Sequence, residues 1–204
     1  MRKIILILVV LVGSLHAQPA FNFPGFVNED GSIHEILDPY WPWGDTVNVM
    51  SYGADPLDNE NDDMPAVQAA VNAASMGDLI YFPDGVYNLS SVSSSSSTSH
   101  IVLSDGYHLH GESMDGTILK SQFPLSVNQN STTKTVQIAG KFAITIKNLT
   151  FTSDFSGVYY TDRVNNNPDR SAPGVHLYID DSGSTPSRQV VVDSCKFEKF
   201  RAAA

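Results

Sequence analysis

From Val47 onward, short triplets of β-branched and apolar residues alternate with turns and polar loops. Ile101–Leu103, Tyr107–Gly111 and Thr117–Leu119 make one set, and Val136–Ile138, Ile144–Ile146 and Leu149–Phe151 make a second. Val175–Ile179, Val190–Val192 and Cys195–Phe197 make a third. The best internal match sets "ITIKNLTF" on "VVVDSCKF": apolar and β-branched positions coincide over eight residues, and a polar pair interrupts each. Three short strands per set, with no amphipathic helix between them, argue against βαβ units. They predict a chain that climbs as a coil, each triplet joining a parallel sheet with the coil below. Alternation sends Ile144 and Ile146 inward, stacked on Leu109 below and Val192 above. Variable spacing falls in the polar stretches 121–134, 152–173 and 180–189, and the serine-rich run Ser90–Ser99 is expected to be mobile.

One segment keeps a different period. In "DDMPAVQAAVNAAS", residues Ala66, Val67, Ala70, Val71 and Ala74 recur at three- and four-residue intervals, the slim apolar face of a helix. Asp62 or Asp63 is expected to cap its first turn, where Pro65 is tolerated; Gly77 is expected to end it, and "LIYF" to start the first strand. A stacked coil has an open apolar end and unpaired edges, so this helix is read as a lid. The acids before it do not make a calcium loop. Asp58, Glu60 and Asp62 alternate suitably, but Asp63 stands where the glycine is needed and Ala69 where the terminal glutamate is needed. Nor do they make a nucleotide site, because acids at the helix start repel phosphate.

The stretch "VNVMSYGADP…NDDMPAVQAAVNAA…GDLIYFPDGVYNLSS" resembles the start of the pectate-lyase-like family. That family takes in rhamnogalacturonase- and polygalacturonase-like hydrolases, polysaccharide lyases, epimerases and phage tailspikes. Its pattern is a strand ending in Tyr-Gly-Ala, a loop, Asp-Asp-x-x-Ala and a helix, then Tyr-Phe-Pro-x-Gly-x-Tyr. Here it falls on Tyr52-Gly53-Ala54, Asp62-Asp63, Ala66 and Tyr81–Tyr87. "YHLHGESMDGTIL" resembles the next element, a strand closed by Gly111. The loop departs from the pattern, with "PLDNEN" in place of a glycine-containing turn. The resemblance covers roughly residues 47–200 and implies an all-β, right-handed parallel β-helix, an N-terminal capping helix, and a polysaccharide partner. It implies calcium only if the protein is a lyase; the residues themselves make no cofactor evident. The chain stops at "KFEKFRAAA" just after a strand, which reads as the amino-terminal coils of a longer protein whose catalytic coils lie further on.

Candidate chemistry is sparse. Asp180-Asp181, two adjacent carboxylates at a strand end, are the best acid pair for base and stabiliser roles, against a solvated turn in "DDSGS". His108 and His110, two apart on one strand, should point outward together while Tyr107 and Leu109 point inward; a third metal ligand is lacking. Tyr159, Tyr160, Arg163 and Arg170 place rings beside cations, a combination suited to acidic sugars. Trp41 and Trp43 either stack on sugar or anchor the irregular stretch 21–46. Cys195, the sole cysteine, reads as a small buried hydrophobe. Asn88, Asn130 and Asn148 head glycosylation sequons, Asn148 at a bend that favours a buried side chain.

Charge narrows the partners. The 204 residues carry a formal charge of −10, with fifteen acids and no Lys or Arg between Lys3 and Lys120. That excludes general nucleic-acid binding and leaves a mildly basic second half to meet an anionic polymer. Residues 1–20, with Arg2 and Lys3 before the apolar Ile4–Val12, read as a secretory signal cleaved after Ala17 or Ala20, or else retained as an anchor. Without a second apolar segment, the mature chain is expected to be soluble, in a secreted, periplasmic or cell-surface location. The organisation is thus a signal at 1–20, an extension at 21–46 and coils at 47–204. The function that the resemblance implies is that of a secreted carbohydrate-active protein, part of a lyase or hydrolase expected to act on a pectin-like or other acidic polysaccharide; the alternative is a non-catalytic adhesin, tailspike-like or glycan-binding module.

Overall fold

The computed structural model describes residues 44–57, 61–123, 133–154, 174–180 and 186–200. All belong to the compact unit Leu37–Ala204. Strand β1 (Thr46–Asn48) runs into a 3-10 turn at Val49–Tyr52, and helix α1 (Met64–Ala73) follows. Next come β2 (Leu79–Phe82), β3 (Gly85–Leu89), β4 (Ser99–Val102), β5 (His108–Gly111) and β6 (Thr117–Ser121). Strands β7 (Lys134–Ala139), β8 (Phe142–Ser153), β9 (Val175–Asp180) and β10 (Arg188–Phe197) complete the described part.

Every strand pairing among the described residues is parallel, and the strands pile up on three sides. The first side stacks β1, β2, β5 and the opening halves of β8 and β10. The second stacks β3, β6 and the closing halves of β8 and β10. The third stacks β4, β7 and β9. Strands β8 and β10 serve two sides because each bends: Asn148 at φ 55° and Ser194 at φ 51° occupy the left-handed region at the same level of the pile. Short polar residues tolerate that region best, which is why a polar pair interrupts each repeat. The eight-residue match is the structural register itself, with Ile144 on Val190, Lys147 on Asp193 and Phe151 on Phe197.

Inward side chains form ladders. Val47, Ile80, Leu109, Ile146 and Val192 share one column, as the alternation required. Tyr87, Leu119, Phe151 and Phe197 share the second, and Ile101, Val136 and Leu177 the third. Fully burying each such side chain contributes about 1.5–3 kcal/mol, so the columns are the main cohesive force.

Helix α1 packs against β1, β3 and β4, the first strand of each side. Met64, Val67, Ala70 and Val71 are buried in the common core, while Pro65 in the first turn stays exposed. The lid is therefore real, but its acids work differently from a simple cap. Asp63 occupies the N-cap position without capping: its carboxylate accepts from the amides of Asp55 and Asn88, both at 2.8 Å. Asp62 accepts from Met64 N at 3.1 Å and also from Ser90 N and Ser91 N. Burial drives this, because the end of β3 presents amides under the lid that no strand reaches. The two acids staple the lid to β3, and desolvation pushes the Asp63 carboxyl above its ordinary range.

Three further expectations change. The first strand is β1, before "LIYF", and Tyr52 ends a 3-10 turn rather than a strand. The helix stops at Ala73 because Ala74 turns extended; Gly77, at φ 94°, instead makes the turn into β2. The serine-rich run is built into the wall rather than loose. Ser93 and Ser99 are buried, Ser93 N donates to Ser99 O at 2.8 Å, and the Ser93 and Ser96 hydroxyls accept amides two residues on.

Candidate functional site on the outer face of the third side

On the third side, Ile101, Val136 and Leu177 face the core, so Val102, Gln137 and Tyr178, one position on, share an outward row. Lys134 stands near the start of β7. Its ammonium lies 4.7 Å from the centre of the Tyr178 ring, two coils meeting across one face, and donates to Thr98 Oγ1 at 3.4 Å. Ser99 Oγ donates to Gln137 Oε1 at 2.7 Å, fixing the amide and leaving its NH2 as a donor. Cation, aromatic ring and primary amide therefore sit on one strand pile. A ring binds the apolar face of a sugar, the amide reads hydroxyls, and an ammonium over a ring attracts a carboxylate.

The residues singled out from sequence flank this face along the chain. Asp180 closes β9, its backbone paired with Ala139, while Asp181 lies outside the described residues. Tyr159, Tyr160, Arg163 and Arg170 also lie outside them, on the segment that leads into β9. Trp41, Trp43 and Asn130 lie outside the described residues too.

The first side carries a second titratable row: Tyr81, His110, Lys147 and Asp193. Lys147 Nζ and Asp193 Oδ2 pair at 3.1 Å, and that ammonium holds the Asp193 carboxyl below its ordinary value. His108 and His110 share the face opposite Leu109 as expected, their rings 6.3 Å apart. His108, however, is fully buried rather than solvent-facing, in the row with Leu79 and Thr145. Burial first, then His108 and Lys147, lower His110 to about 4, so its ring is neutral at ordinary pH. Tyr81 is raised by burial, Glu112 and Asp84.

Of the acids weighed as a calcium loop, Asp58 and Glu60 lie outside the described residues, and Asp62 and its neighbour Asp63 are committed to the fold. All four carboxylate oxygens of Asp62 and Asp63 accept backbone amides, and no group of three His, Cys, Asp or Glu among the described residues can hold a metal ion. Cys195 is half-buried with its thiol raised by desolvation, an inert setting. Asn88 is buried beneath the lid, where a glycan has no room.

A family model described as rhamnogalacturonase A/epimerase, pectate lyase-like, matches residues 46–198. The chain belongs to that family. Two solved structures, the A-modules of the mannuronan C-5 epimerases AlgE6 and AlgE4 from Azotobacter vinelandii, are each 21% identical to it. Both alignments cover 74% of this chain and 37% of theirs, with TM-scores of 0.51 and 0.49. The chain thus spans just over a third of those structures. No curated protein matches it. Family membership makes this a right-handed parallel β-helix of the pectate-lyase-like kind, a fold of carbohydrate-active epimerases, lyases and hydrolases. Among the described residues no helix is long and apolar enough to cross a membrane.

Lys134, Gln137 and Tyr178 escaped the sequence reading because Gln137 and Tyr178 lie inside segments taken only as strand, and Lys134 closes a stretch taken only as polar loop. Setting "KTVQI" on "VHLYI" in register would have placed Gln137 beside Tyr178, facing away from Leu177.

Proposed function

We propose that this chain supplies coils of a secreted carbohydrate-active protein that takes an acidic polysaccharide across the outer face of its third side. The observation that carries the reading is the Lys134 ammonium seated over the Tyr178 ring, beside an amide clamped by Ser99. Family membership supports carbohydrate chemistry, and the acid-poor second half supports an anionic polymer. Tyr159, Tyr160, Arg163 and Arg170, which precede β9 in sequence, and Asp180 and Asp181, which follow it, are further candidates for contact with that polymer. Whether the reaction is lyase, hydrolase or epimerase chemistry is set by groups beyond these. Residues 1–20 would direct export.

Affinity electrophoresis in gels containing polygalacturonate, alginate or a neutral glucan tests the proposal. The expected result is retardation by an acidic polymer, absent with the glucan and weakened by salt. Tyr178→Ala and Lys134→Ala should each cut that affinity about tenfold, the first by removing a ring for sugar to stack on and the second by removing a cation for its carboxylates. Equal retardation by the neutral glucan, or wild-type behaviour of both variants, overturns it.

A further inference from the structure

We propose that the seam between the second and third sides is an acid-released latch, made by two histidines held in opposite neutral tautomers. His100 on β4 and His176 on β9 sit at the level between the paired rungs Ser99–Lys134–Val175 and Ile101–Val136–Leu177, with Thr135 of β7 between them. Both imidazoles are buried, and both ring nitrogens of each are bonded.

The partners fix the protons. His100 Nδ1 lies 2.7 Å from the Ser91 carbonyl oxygen, which only accepts, so Nδ1 carries the hydrogen and Nε2 accepts from Ser121 Oγ at 2.8 Å. His176 is reversed. Its Nε2 lies 2.5 Å from the Glu198 carbonyl oxygen and donates, while Nδ1 accepts from Thr135 Oγ1 at 2.8 Å. Each ring therefore joins one coil to the next: His100 joins β4 to β6, and His176 joins β9 to β7 and to the chain leaving β10.

A second proton on either ring would turn an acceptor into a donor facing a hydroxyl that already donates. The hydroxyl must swing away, and a charge is stranded from water. Few charges answer it. His100 meets Phe123, stacked at 3.9 Å, whose ring face offsets part of the cost. The carboxylate of Asp62 acts on His100, but its oxygens are held by three amides, and His176 opposes protonation. Around His176 stand Phe151, Phe197 and Phe200, and the Glu198 carboxylate is turned to Lys196 at 2.6 Å. Burial lowers both rings to about 4. Acid should therefore free the segment Glu198–Phe200 and loosen the third side before the lid end gives way.

Nitrogen-15 NMR of the histidine rings in the full 204-residue chain is the test. At pH 7 the expected pattern is a proton on Nδ1 of His100 and on Nε2 of His176, both rings neutral. Between pH 6.5 and 4.5 the hydrogen-exchange protection factor of the Glu198 amide, bonded to Phe151 O at 2.8 Å, should fall about tenfold or more. His176→Gln should abolish most of that pH dependence. Matching tautomers, a charged ring at pH 6, or protection that stays constant with pH would each overturn the latch. The tautomers are read on the unaltered chain, so a variant that fails to fold does not shelter the proposal.

Discussion

Two ends of the same ladders differ in what lies against them. At the first coil, α1 covers the pile, and Met64, Val67 and Val71 close it with almost no exposure. At the last described coil, Ile179 is 47%, Val192 40% and Phe197 37% exposed. Yet Ile138, Ile146 and Phe151, one coil below in the same columns, are fully buried. Register is matched in all three pairs and residue type in two of them, so the difference isolates the neighbour. In a coil of this kind a side chain gains its stabilisation from the next turn of chain, not from its own strand.

The sharpest way to break the comparison is a charge at each end. Val71→Asp buries a carboxylate under the lid and should cost about 5 kcal/mol, whereas Val192→Asp should cost under about 1 kcal/mol. Urea denaturation followed by circular dichroism gives both values, and equal losses would remove the lid. Phe151→Ala should lose about 4 kcal/mol and Phe197→Ala far less, since only the first leaves a closed cavity. The stacked pair, with ring centroids 5.0 Å apart and planes nearly parallel, makes this a matched test.

Acid sharpens the comparison next. His100 and His176 have folded values near 4 against an ordinary 6.5, so the unfolded chain binds their protons first. Their contribution is complete above pH 6.5, falls as the pH drops toward 4, and is then level. Each ring is worth at most about 3 kcal/mol over that window. Denaturation midpoints measured across it should decline, and a rise would contradict the burial of neutral rings. The smallest effect belongs to a corner. Gln189, exposed at φ 53°, should gain up to about 1 kcal/mol on change to Gly, read as a raised melting temperature.

The fold was legible because a coil writes its register locally. "ITIKNLTF" and "VVVDSCKF" encode both the inward alternation and the bend, so aligning them reproduces the pairing of β8 with β10. The lid followed from its period. The site was not legible in the same way. Lys134 and Tyr178 belong to different coils and meet through side-chain reach over a strand face, which no local pattern records. The double role of Asp62 and Asp63 was hidden for a related reason: their partners at Asn88, Ser90 and Ser91 come close only once β3 has folded under the helix. The burial of His108 likewise depends on what lies over its face, and alternation fixes only which face that is.

Members of the column Val47, Ile80, Leu109, Ile146 and Val192 are separated by unequal lengths of chain, yet each lands on its neighbour. Among the described residues the surplus, helix α1 and the serine-rich Ser90–Thr98 included, lies between strands and not within them. Length can therefore change between coils at little entropic cost, while one residue inserted within β8 would turn its faces inside out. Such a scaffold separates two kinds of inheritance. Its columns accept almost no editing, and the connections between strands accept a great deal, so new recognition can be tried there without renegotiating the fold.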